Sequence, residues 1–125
     1  LLDFGLARLL EHDAPTAKTA AAGTPLYMSP EALDSAPPSA AVDVWAMHVL
    51  LYEAMSGRHP FRGETMDDTA RNIRQAAAPP LALPALSDAR AGRISAYFRS
   101  ALSERPFDRP QSAAAAADAL RALMT

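Results

Sequence analysis

Residues 42–56, VDVWAMHVLLYEAMS, constrain the fold more than any other stretch, because they are apolar on nearly every face. A helix of that kind has no side to offer to water and is expected to be buried all round. The rest of the chain must therefore supply a shell around it. Gly57 follows directly and predicts a left-handed C-cap that ends the helix.

The remaining segments read as candidates for that shell. In SPEAL, Ser29 can cap a short helix and Pro30 suits its first position. Residues 64–77 predict an exposed, mildly amphipathic helix. Residues 76–86, AAAPPLALPAL, are expected to be extended, since proline fixes φ and removes donors. Ser87 opens another helix with Ala91, Ile94, Phe98, Ala101 and Leu102 on its apolar face. ERPFDRP at 104–110 reads as a rigid polar loop. A last helix is predicted from about Gln111 to Leu123, with Ala116, Leu120, Leu123 and Met124 on one side, its five consecutive alanines favouring helix. Upstream, residues 1–2 read as the end of a buried strand and 9–30 as a long loop, a feature that is usually functional inside a compact domain. The fold class is therefore mainly α, fed by one strand and one loop.

Composition sets outer limits. The chain has 125 residues, enough for one compact domain, and half of them are hydrophobic. A net charge of -2 gives no reason to expect a nucleic acid or an anionic membrane as partner. There is no cysteine, which excludes disulfides, thiolate metal sites and cysteine nucleophiles and fits an intracellular, cytoplasmic location. No apolar run approaches the roughly 20 residues of a membrane span. Asp3, Arg8, Glu11 and Asp13 interrupt the start too soon for a signal peptide. The chain does not begin with methionine, and it is expected to be a piece of something longer.

Four motifs follow one another: Asp3-Phe4-Gly5, GTPLYMSPE at 23–31, DVWAMHVLLYEAMSGRHPF at 43–61 and RPFDRP at 105–110. Singly each is weak; Asp3 alone reads as a capping acid after a strand. In this order they resemble the C-terminal lobe of a protein kinase, of the bacterial serine/threonine type, across essentially the whole chain. The resemblance implies a partial kinase domain over 1–125, with an activation segment at 1–31 and a helical lobe at 32–125, and with the N-terminal lobe and catalytic loop absent.

The resemblance also implies roles. Asp3 would be the carboxylate holding Mg²⁺ against the nucleotide phosphates, a fitting partner for a hard cation. Gly5 would let the backbone turn so that Asp3 faces the phosphates. Thr16 and Thr19 are candidate activation-loop phosphosites; a phosphate can order such a loop against arginines. Thr24 would hydrogen-bond near the catalytic base and favour Ser/Thr acceptors. Glu31 and Arg109 would form a buried bidentate salt bridge, for which the planar guanidinium is suited. Asp43 would accept hydrogen bonds from the catalytic-loop backbone, or simply sit at a helix N-terminus where the macrodipole favours an acid. Trp45 reads as core. His48 stands where the family usually has glycine and would either disturb close packing or face a gap.

The function implied is ATP-dependent phosphoryl transfer to Ser or Thr of protein substrates, with ATP and Mg²⁺ as cofactors in the intact kinase. The glycine-rich loop, the strand lysine with its helix glutamate, and the His-Arg-Asp loop that carries the catalytic acid are absent from these residues. No catalytic residue is therefore expected in them, and the piece alone is expected to bind no cofactor and to be inactive. An apolar patch should be exposed around the helix at 43–55. A non-catalytic binding or scaffold module, or a degenerate gene product, remains as an alternative reading.

Overall fold

The computed structural model describes residues 26–124, which form five α-helices and one short 3₁₀ turn, with no strand among them. The strand and loop predicted upstream of Leu26 lie outside the described residues.

Local chemistry sets each helix start. In α1 (Pro30–Leu33), Ser29 Oγ accepts the Ala32 N–H at 3.2 Å and Pro30 takes the first position. Helix α2 (Ala40–Ser56) begins two residues before the predicted start. Ser39 caps it by accepting the Val42 N–H at 3.2 Å, immediately after Pro37 and Pro38. It ends at Gly57, whose φ of 76° is left-handed. Thr65 caps α3 (Met66–Gln75) and Ser87 caps α4 (Asp88–Ala101) in the same way. Between them, Ala76 departs from the extended run expected over 76–86 by taking a left-handed cap (φ 48°), and residues 77–86 hold no helix or strand, with one turn in which the Leu86 N–H donates to the Leu83 carbonyl.

The segment predicted as a rigid polar loop holds a 3₁₀ turn at Pro106–Asp108. The last helix, α5 (Ala113–Met124), starts two residues later than expected. The cause is the same in both cases. Gln111 turns its amide back onto the carbonyls of Pro106, Phe107 and Arg109 and pins the turn. Ser112 is then left to cap α5 through the Ala115 N–H, at 3.0 Å. On the predicted apolar face of α5, Ala116 is buried and Leu120 and Leu123 are half-buried, but Met124 is 75% exposed.

The core lies along one side of α2. Trp45, Val49 and Tyr52 meet Phe61, Ile73 of α3, Leu81 of the extended stretch, and Ile94, Phe98 and Leu102 of α4 and its cap. Helices α4 and α5 both pack on α2, and α1 packs on α3. The aromatic rings interlock: Trp45 stacks on Phe61 at 5.3 Å, while Phe98 meets the rings of His48, Tyr52 and Tyr97 edge-on at 5.8, 5.9 and 5.6 Å.

Helix α2 is not buried all round. Asp43 and Ala54 are exposed and Met47 and Leu50 half-buried, and these four fall at helical spacing on one stripe. The core residues Trp45, Val49 and Tyr52 fall on another, so packing covers α2 unevenly.

His48 neither disturbs the packing nor faces a gap. It is fully buried between α2 and α4. Its Nδ1–H donates to the Val44 carbonyl at 2.7 Å, and its Nε2 accepts the Tyr97 hydroxyl at 2.7 Å. Both ring nitrogens are thus satisfied in the neutral form. Burial lowers the His48 pKa, opposed in part by the Val44 hydrogen bond, and burial pushes the Tyr97 phenol up to about 12. The unfolded chain binds its proton near the ordinary value of 6.5, and the folded chain only below that. This contribution to stability is therefore complete above the ordinary value and declines as pH falls below it. The melting temperature should fall on acidification from neutrality, and His48→Gln should flatten that slope; an unchanged slope in the variant would show that His48 is not the group responsible.

Candidate functional site

The described chain enters at Leu26 and is tied at once to the turn after α2. His59 Nε2–H donates to the Leu26 carbonyl at 2.6 Å, while His59 Nδ1 accepts the Phe61 N–H at 3.1 Å. Those two bonds fix the neutral tautomer, and burial keeps the His59 pKa below its ordinary value. One residue on, the Tyr27 hydroxyl donates to Glu53 Oε1 at 3.2 Å, and the Tyr27 ring leans on His59 at 5.7 Å. Ser29, wholly buried, then starts α1.

Helix α1 carries Glu31 to Arg109, 78 positions away in sequence. The pair is bidentate: Nη1 reaches Oε2 at 2.7 Å and Nη2 reaches Oε1 at 2.8 Å. The other three guanidinium protons go to backbone carbonyls. Nη1 donates to Ala41 at 3.1 Å, Nη2 to Glu104 at 3.3 Å and Nε to Ser103 at 2.9 Å. All five donors of the guanidinium are thereby used. The Arg109 side chain is 0% exposed and that of Glu31 22%. The guanidinium also lies over the Trp45 ring, 4.8 Å from its centroid. Burial by itself raises the Glu31 pKa, but the hydrogen bonds and charge of Arg109, with help from the local backbone and Ser29, hold it below the ordinary carboxylate value.

One cation thus joins four pieces of chain: α1, the first turn of α2, the end of α4 and the 3₁₀ turn. Sequence reading paired Glu31 with Arg109. It did not find the three carbonyls or the indole, because those contacts depend on where the backbone runs and not on residue type.

Residues 1–120 match the protein kinase domain family. This chain belongs to the protein kinase family. Over 118 residues it is 36% identical to the "Probable serine/threonine-protein kinase CE0033" of Corynebacterium efficiens, covering 91% of this chain and 18% of that protein. It is 40% identical over 127 residues to the serine/threonine-protein kinase pkn2 of Myxococcus xanthus, covering 98% of this chain and 15% of that one. The described fold is similar to a twitchin kinase fragment of C. elegans, with a TM-score of 0.61 and 26% identity over 78% of this chain and 21% of that one. The chain thus spans less than a fifth of the length of these curated relatives.

Of the kinase site residues expected from sequence, the structure brings together Glu31 and Arg109. Asp43 lies in the first turn of α2, exposed, with its N–H on the Ser39 carbonyl and its carboxylate in none of the ion pairs among the described residues. Asp3, Gly5, Thr16, Thr19 and Thr24 lie outside the described residues. Among the described residues no group of three His, Asp or Glu side chains is placed to hold a metal ion. No described helix is long and apolar enough to cross a membrane.

Proposed function

We propose that these residues are the C-terminal, substrate-facing part of a cytoplasmic, ATP-dependent kinase that phosphorylates serine and threonine in proteins. In this reading residues 1–31 are the activation segment and 32–125 the helical lobe that carries it. The observation that supports it most strongly is the Glu31–Arg109 junction. It fastens the last residue of the GTPLYMSPE stretch to the helical body, with every donor of the arginine in use. A loop that must present a peptide needs such an anchor, since phosphoryl transfer depends on positioning.

In the same reading Asp3 holds Mg²⁺, and Gly5 supplies the turn that aims it. The ion, when bound, neutralises phosphate charge. A single carboxylate is a donor set that suits Mg²⁺, which takes its remaining oxygens from phosphates and water. Thr24 orients the acceptor hydroxyl, and Thr19 or Thr16 takes an activating phosphate. Asp43, exposed at the start of α2, is free to accept from the catalytic-loop backbone.

The 125 residues alone are expected not to transfer phosphate, because they hold no catalytic base, no phosphate-binding lysine and no glycine-rich loop. Two preparations test this: the 125-residue chain and the full-length product of its gene, each given ATP, Mg²⁺ and a general protein acceptor. The expected result is no transfer by the first and phosphoserine or phosphothreonine formed by the second. Transfer by the short chain, or none by the full-length product, would overturn the reading.

A further inference from the structure

One side chain closes the end of α4 and the 3₁₀ turn into a ring. Ser100, exposed in the last turn of α4, donates its hydroxyl to the Asp108 carbonyl at 2.7 Å. Inside the ring lie Ser103 and Glu104. Their carbonyls accept from Nε and Nη2 of Arg109 at 2.9 and 3.3 Å. Arg109 follows Asp108 directly, and its own N–H reaches back to the Pro106 carbonyl at 3.2 Å. Two of the five guanidinium donors thus end on a stretch of chain that Ser100 holds shut.

The polarity of the place sets Ser100 apart. Ser39, Thr65 and Ser87 are also exposed, but they cap helix starts, where the macrodipole favours an added phosphate. Ser29 and Thr69 are buried. Ser100 lies at the carbonyl end of α4. A phosphate on its Oγ would remove the hydrogen that Asp108 accepts. It would also set nearly two negative charges against a helix C-terminus and a residue that already carries a carboxylate. Arg99 and Arg105 stand on either side in sequence, both exposed and in none of the ion pairs among the described residues. Their guanidiniums would draw the phosphate outward, away from the turn.

We propose that Ser100 is a phosphorylation site whose modification opens this ring and weakens the Glu31–Arg109 junction. In the step the γ-phosphoryl group of ATP moves to Ser100 Oγ. The Oγ–P bond forms as the bond to the β-phosphate oxygen breaks, ADP leaves, and the hydroxyl proton passes to the base of the modifying enzyme. Loosening the junction frees the stretch that ends at Glu31, so the modification acts as an off switch. That consequence, and a second copy of the full-length protein as the modifying enzyme, rest on the kinase reading. Ala101 and Leu102 beside the serine are buried, so the last turn of α4 must open locally before an enzyme can reach it. A weaker junction makes that opening commoner and the modification faster.

The test uses the full-length gene product in three forms: the parent, Ser100→Ala, and protein with phosphoserine encoded at position 100. Hydrogen exchange is read at residues 30–33 and 103–109. It should quicken about tenfold with phosphoserine and clearly less with alanine, which loses the hydrogen bond but adds no charge. Treatment with a phosphatase should restore the parent rate. Mass spectrometry follows incubation with ATP and Mg²⁺, with and without an added arginine-directed serine kinase. Phosphate should appear on Ser100, and sooner in Arg109→Lys. Phosphate there only with the added kinase would support the site and assign its writer to a second enzyme. Exchange at the parent rate in the phosphoserine form, or no phosphate on Ser100 under either condition, would overturn the proposal. Should the parent phosphorylate no protein acceptor, the kinase reading falls, while exchange and the added-kinase arm still decide the switch.

Discussion

Replacing Arg109 with alanine is expected to destabilise the fold by about 4 kcal/mol, within the range for breaking a buried ion pair. The loss has three parts. Glu31 keeps its charge in a half-buried position with no counter-ion, and the carbonyls of Ala41, Ser103 and Glu104 each lose a donor. Trp45 loses the group that covers its ring. Arg109→Lys should recover little, because an ammonium has three donors on a flexible stem and cannot match a carboxylate and three carbonyls at once. Glu31→Ala should cost slightly less, about 3 kcal/mol, since the guanidinium keeps its carbonyls. Urea unfolding followed by circular dichroism measures all three. A change near zero for Glu31→Ala would mean that the carboxylate contributes nothing to the junction. Glu31 also makes stability depend on pH. Its folded pKa is depressed, so its contribution is present above the ordinary value of 4.5 and is lost as pH falls through the folded value.

Phe98→Ala is expected to cost a similar amount, about 3–5 kcal/mol. Phe98 is 1% exposed and touches three other rings, from His48, Tyr52 and Tyr97. Those rings are not free to fill the space, because all three are held by their own hydrogen bonds. The Tyr52 hydroxyl donates to the Pro79 carbonyl and the Tyr97 hydroxyl to His48. The cavity should therefore persist. A variant that unfolds at the parent urea concentration would show that α2 and α4 close over it.

Two helix starts were legible in the sequence: Ser29, with Pro30 at the first position, and Ser87 both cap as expected. Starts were misplaced by two residues at α2, α3 and α5, where Ser39, Thr65 and Ser112 set the boundary. The apolar face of α4 was legible from its spacing. Incomplete cover of α2 was expected, but not which side would be left open, because a run apolar on all sides carries no period to mark the side that meets its neighbours. Among site residues, Glu31 and Arg109 were found through the order of motifs and not from either residue alone. The His48–Tyr97 bond left no sequence signal, since it joins helices 49 positions apart.

The span between Glu31 and Arg109 bears on the order of folding events. Closing a loop of 78 residues is entropically costly until the intervening helices have shortened the path. If the junction is made only after the rate-limiting barrier, weakening it should hasten unfolding while leaving the speed of folding nearly untouched. The arginine then acts as a latch on the finished structure, governing how long the native state lasts once it has been reached.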